Sequence, residues 1–241
     1  MSKQSLIRAA ARNNAAWCAA MSRSHGVSGA FGEQAWAAPA RTPPYYPDAV
    51  TLVPDADPAA LTARIDAAPG ASVKDSFADL DLAEAGFRVL FDAQWIHRPP
   101  AAATAASGLA GDVVVCPEAL SAWALAREGG DGGGDGGVDL FRPELLDDPG
   151  TFVLAGRSAD GRVVAGAVAS RSDGVLGVSN VFAAPHGGPG TAWPVVLETV
   201  NRLFPALPVV GYEHGDALVD AVRHGFAPIG PLRVWIRAGQ G

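Results

Sequence analysis

Cysteine is scarce. The chain has 241 residues and two cysteines, Cys18 and Cys116. That excludes a disulfide framework, and neither residue sits in a CxxC or metal-ligand spacing, so both are expected as reduced core thiols. Charge is thin as well: 18% of residues are charged and the net charge is −7. That balance leaves no broad basic footprint for nucleic acid, only room for a local patch. No run approaches the ~18 apolar residues of a membrane span. The segment MSKQSLIRAAARNNAAW (1–17) is interrupted by Arg8, Arg12 and two asparagines, unlike the unbroken apolar core of a signal peptide. The expectation is a soluble cytoplasmic protein with neither a nucleic-acid nor a membrane partner.

What is abundant is apolar surface and punctuation. Hydrophobic residues make up 49% of the chain, enough for a sizeable core. Gly (29) and Pro (19) predict many turns and short elements. Residues 5–24 carry Leu6, Ile7, Ala10, Asn14, Trp17, Cys18 and Met21 at helical spacing and stop near His25-Gly26. Residues 26–48 read as irregular, with RTPPYYPD (41–48) barred from regular structure by its prolines. AVTLVP (49–54) reads as a strand. Asp57 and Pro58 open a helix over DPAALTARIDAA (57–68). SVKDSF (72–77) reads as a solvated turn or cap, with a site at Lys74, Asp75 and Ser76 as the alternative, and FRVLFDAQWIH (87–97) as the strongest strand of this half.

PPAAATAASG (99–108) carries no charge and reads as a linker, dividing a smaller α/β module (1–105) from a second one (106–241). In the second module DVVVCPE (112–118) is a strand and ALSAWALARE (119–128) a helix. GGDGGGDGG (129–137) is low-complexity and lacks the spacing and closing Glu of a calcium loop, so no metal is expected. After a short helix at 144–149 come three strands, 151–157, 162–170 and 175–183, joined by the hairpin turns SADG and RSDG. A glycine-rich turn leads to an amphipathic helix (191–205), a buried strand (207–213), a helix ended by Gly225 (216–225) and one or two closing strands (226–238). An antiparallel meander feeding a strand–helix–strand unit makes an α/β fold with a mixed sheet.

This order over 112–241 resembles the GNAT (Gcn5-related N-acetyltransferase) superfamily. The residues that carry the resemblance are Ala183 and Pro185 for the family's V-x-P and His186-Gly187-Gly188-Pro189-Gly190-Thr191 for its pyrophosphate loop. His224-Gly225-Phe226 stand for its later G-F. The strand–helix–strand content of the first module is compatible with a degenerate half of the same kind. The resemblance implies an acyltransferase that takes acetyl-CoA or another acyl-CoA as co-substrate. The thioester arm would run along Asn180, Val181, Phe182 and Ala183, and the pyrophosphate would meet the amides of His186, Gly187, Gly188, Gly190, Thr191 and Ala192. Helix N-termini bind phosphate through unpaired N–H groups, although Pro189 removes one. The loop also lacks the family's arginine, which leaves open a donor on a carrier protein or an aminoacyl-tRNA.

Acyl transfer needs a base for the amine and donors for the developing oxyanion. Glu213 is a candidate base and Tyr212 a candidate acid at the end of one strand, with Asn180 as a donor to an acyl carbonyl or amine. GYEHGD is also readable as a polar strand exit with Asp216 as helix cap, and Asn180 as satisfying local backbone or a bulge. The family's usual acid, four residues before the Gly of G-F, is Ala221 here, so a non-catalytic ligand-binding module also fits. The acceptor is expected to be a small-molecule amine, shaped by the first module. RTPPYYP (41–47) suits a pocket wall, and His97-Arg98 could meet an anion.

Overall fold

A computed structural model describes residues 2–129, 137–185 and 190–239. The low-complexity tract and His186–Pro189 fall outside the described residues. The first half contains α1 (Lys3–Ser24), β1 (Ala30–Phe31), β2 (Ala35–Ala37), β3 (Ala49–Thr51), α2 (Pro58–Thr62), β4 (Ser72–Asp75) and β5 (Phe87–Arg98). The second contains β6 (Ala110–Val113), α3 (Pro117–Arg127), α4 (Gly137–Leu140), a 3₁₀ turn (Pro143–Asp147), β7 (Thr151–Arg157), β8 (Val163–Ser172) and β9 (Val175–Ala183). It ends with α5 (Ala192–Leu203), β10 (Val209–Glu213), α6 (Gly215–Arg223) and β11 (Ala227–Arg237).

Local chemistry sets the helix ends. Ser2 caps α1 by accepting from the Ser5 amide at 3.1 Å. Gly26 ends it with φ +76°, the Val27 amide reaching back to Ser22. The same device ends α6, where Gly225 has φ +86° and the Phe226 amide returns to Ala221. Buried alanines of α1, among them Ala10 and Ala11, let the helix lie close on the sheet.

Among the described residues 11 strands form one mixed sheet, in the order β1-β2-β3-β4-β11-β5-β10-β9-β8-β7-β6. Alternation along β7 splits its side chains between two cores. Val153 and Ala155 join α1 and α3 on one face, while Leu154 joins α5 on the other. The order contains an internal echo. In the first half β2 and β3 run antiparallel, then α2 leads to β4, parallel to β3. In the second half β8 and β9 run antiparallel, then α5 leads to β10, parallel to β9. Each half then sends its last strand into the other. β5 lies between β10 and β11, and β11 lies between β4 and β5. The sheet is therefore continuous across the boundary at 105/106.

Several elements differ from the sequence reading. β1 and β2 fall inside 26–48, which was expected to be irregular. SVKD forms β4 rather than a solvated turn, because it pairs with β11 from the far end of the chain. The helix begun by Asp57 stops at Thr62, and Asp66 then accepts from the Ala68 amide in a turn. The strand read at 112–118 spans Ala110–Val113, because Pro117 opens α3. The closing segment is one strand with register shifts. The segment after β5 has no helix or strand up to β6, but it is pinned. Arg98, 1% exposed, donates to the carbonyls of Ala102 and Ala103, and Asn201 donates to Ala102.

Candidate active site

β9 and β10 are parallel but pair only at Leu176–Val209 and Gly177–Val210. Beyond those pairs β9 has no ladder partner in β10, and a cleft of about 160 Å³ opens between them. Two features of the sequence produce this. β9 carries a bulge: the register jumps from Gly166–Phe182 to Val168–Ser179, and Asn180 sits in it at φ +53°. Asn tolerates that left-handed conformation, and a bulge re-aims the strand beyond it. Opposite, Gly211 keeps the strands close at the mouth of the separation, since a Cβ there would lie 2.9 Å from the Val178 carbonyl oxygen.

The two residues at the end of β10 leave the strand on opposite faces. Tyr212 turns toward α1, its ring edge-on to Trp95 at 5.7 Å and under the Lys74 ammonium at 4.2 Å. Glu213 turns toward α6. Burial first, and then the nearby charge of Asp220, push its carboxyl up to about 7. Both line the cleft. The Asn180 side chain accepts from Arg127 at 3.2 Å and donates to Ser179 at 3.1 Å.

A second chamber of about 200 Å³ adjoins the cleft. The two share Asn14, Trp17, Ser179, Asn180 and Tyr212. Its outer wall is Tyr45-Tyr46-Pro47, the segment the sequence offered as a pocket wall, and Lys74, Arg127 and Cys18 complete it. Asp48 shapes that wall. Its buried carboxylate accepts from the amides of Thr42 (3.0 Å) and Ser72 (2.8 Å) and pairs with Arg41 at 3.1 Å. Burial pushes up both the Cys18 thiol and the Tyr46 hydroxyl.

The other candidates are distributed as follows. Val181, Phe182 and Ala183 finish β9 and are partly or fully exposed. Gly190 (φ +79°), Thr191 and Ala192 lead into α5, whose first turn has no acidic residue. His186, Gly187 and Gly188 lie outside the described residues. Ala221 is fully buried in the apolar cluster around Trp193 and Phe226. Arg98 lies across from Val209, where β9 and β10 are still paired, and is used on backbone carbonyls. Among the described residues no group of three or more His, Cys, Asp and Glu could hold a metal ion, and no helix is long and apolar enough to cross a membrane. Sequence reasoning did not single out Asn13, Asn14 or Trp17 for the site. The signal available was two adjacent asparagines in an otherwise apolar helix face.

In this mixed sheet β9 carries a bulge and parts from its parallel neighbour β10, as the resemblance to the GNAT N-acetyltransferases implies. Comparison with solved structures gives the same fold. A GCN5-related N-acetyltransferase from Kribbella flavida is 20% identical, with 96% of each chain covered and a TM-score of 0.62. A GNAT-family protein from Novosphingobium aromaticivorans is 15% identical, covering 95% of this chain and 99% of that one, with a TM-score of 0.57. A conserved protein of unknown function from Staphylococcus epidermidis is 10% identical over 71% of this chain and 73% of its own, with a TM-score of 0.55. The first two likenesses span both halves, further than the C-terminal half that carries the sequence motifs. No family model and no curated protein matches the chain.

Proposed function

We propose that this chain is an N-acyltransferase moving an acyl group from acetyl-CoA or another acyl-CoA to the amine of a small molecule. The observation that carries this reading is the parting of β9 from β10 beyond Gly177 and Val210, next to the start of α5. An extended thioester arm fits there, bonding to the backbone of 180–183. A pyrophosphate fits the first amides of α5 at Gly190, Thr191 and Ala192, where the helix dipole favours negative charge.

In the reaction the amine nitrogen attacks the thioester carbonyl and the C–S bond breaks. Glu213, with its carboxyl held up to about 7, is poised to take the amine's proton near neutral pH. The Asn180 amide is a donor for the acyl oxygen. With Ala221 at the position of the family's acid, the departing thiolate takes its proton from Tyr212 or from water. Titration with acetyl-CoA by calorimetry, followed by thiol release in the presence of amines, tests this. Micromolar binding with amine-dependent release supports it. Absence of binding at millimolar acetyl-CoA rejects it, and transfer from a loaded phosphopantetheine carrier alone would move the donor to a carrier protein. Binding without turnover would leave a ligand-binding module.

A further inference from the structure

We infer that the acceptor carries a carboxylate beside its amine, and that the second chamber holds that carboxylate between Lys74 and Arg127. The inference rests on the acyltransferase reading for the amine, and on the chamber itself for the acid group.

Two cations face this chamber, and their hydrogen-bond and ring partners are neutral. Lys74, 4% exposed, donates to the Asn14 side-chain oxygen at 2.8 Å and lies 4.2 Å from the Tyr212 ring centre. Arg127 donates to the Asn180 side-chain oxygen at 3.2 Å, with its guanidinium 5.2 Å from the Phe141 ring centre. No Asp or Glu lines the chamber among the described residues. Elsewhere Arg23, Arg41, Arg157, Arg162 and Arg233 pair with carboxylates, whereas buried Arg98 is held by backbone carbonyls and a hydroxyl. The chain has 25 acidic residues against 18 basic ones, so the lack of acid here is local.

A buried ammonium and a guanidinium without a counter-charge are costly to hold around one chamber, unless an anion joins them. An ammonium offers three donors and a guanidinium five, and one of each is engaged by the amides described. A planar carboxylate matches the guanidinium fork. The chamber opens into the cleft at Asn180 and Tyr212, which line both, so an acid anchored there presents an amine a few atoms away to the β9 edge. The ring walls of Trp17 and Tyr46 suit a short apolar stem between the two groups. The acceptor class is therefore a small amino acid or a related amino-acid-like amine.

The experiment uses the intact chain and the twenty amino acids, each beside its carboxamide. Binding is read by calorimetry without acetyl-CoA, and transfer by thiol release with it. The expected result is at least one acid that binds and reacts with kcat/KM about 10- to 100-fold above its amide, as charge-assisted bonds to a carboxylate predict. Lys74→Met and Arg127→Gln should each erase most of that preference while acetyl-CoA affinity stays unchanged. Equal use of acid and amide, or no binding by any acid in the panel, overturns the inference. Both comparisons need only the parent protein, so they hold if a variant fails to fold. Failure of acetyl-CoA binding with intact acid binding would reject the acyltransferase reading and leave the anion chamber standing.

Discussion

Asn13 of α1 crosses β9 at Gly177, so closely that no side chain fits between them. A Cβ on Gly177 would clash with the Asn13 side-chain oxygen and come within 2.7 Å of the Ser170 hydroxyl. The same asparagine is fixed from behind, donating to the Ser170 carbonyl at 2.8 Å and accepting from the Ser170 hydroxyl at 3.0 Å. Gly177 is the last residue at which β9 still pairs with β10. The helix therefore clamps the strand at the point where the cleft begins.

Gly177→Ala should destabilise the protein by about 1–3 kcal/mol, the usual result of overpacking a fitted contact. The loss should exceed that of an alanine at Gly239, where a Cβ would meet open space and the backbone is not left-handed. Denaturant unfolding of the two variants checks this.

Glu213 gives two linked expectations. If it is the base, kcat/KM should rise with pH through about 7, and Glu213→Gln should lower the rate by about 10²–10⁴. Its effect on stability has the opposite direction. A carboxyl raised from 4.5 to about 7 favours the folded state fully below pH 4.5, and that contribution is lost as pH rises to about 7. Glu213→Gln should therefore be more stable than the parent at pH 8, by on the order of 3 kcal/mol at most, with no gain at pH 4. Thermal melts at the two pH values decide it.

The internal echo of the fold raises the question of a second donor site at α2, the counterpart of α5. That position is already filled. The Asp57 carboxylate accepts from the Ala59 and Ala60 amides at 2.8 and 3.2 Å, and α2 is only five residues long. A phosphate would meet a negative charge in place of open amides. Calorimetry should give one acetyl-CoA per chain, and a stoichiometry of two would contradict this account.

Asn180 combines a backbone role and a side-chain role that two variants separate. Asn180→Gly keeps the φ +53° conformation accessible but removes the bonds to Arg127 and Ser179. Asn180→Ala removes the same bonds and adds strain of about 1 kcal/mol. Both should raise KM for the acceptor, and the alanine variant alone should also melt earlier.

How much of this was legible in the sequence depends on how local the cause is. The meander β7–β9 could be read because β-branched runs alternate with SADG and RSDG turns. The ends of α1 and α6 were marked by Gly26 and Gly225. The cleft was not read from any local pattern; it was implied by the resemblance of the element order to the GNAT superfamily. β4 was not legible. Its Lys74 and Asp75 look like surface, yet Asp75 is buried capping the amides of Phe77 and Leu80, and Lys74 faces the chamber. One of its two partners, β11, lies more than 150 residues away, and no local pattern reports that. The chamber was half legible. The rigidity of RTPPYYP could be read from its prolines, whereas Asn14, Lys74 and Arg127 meet only through the tertiary fold.

The crossing of β5 and β11 sets when this chain can fold. β5 leaves the ribosome before its two neighbours, β10 and β11, which lie more than 100 residues further on. Until they emerge, a 12-residue strand with Val89, Leu90 and Phe91 along it has both edges open. Loop closure over that distance is slow, and unpaired edges invite aggregation. The two halves cannot mature one after the other during synthesis. The sheet closes only after the last described strand arrives, so β5 stays without its neighbours until β10 and β11 have been made.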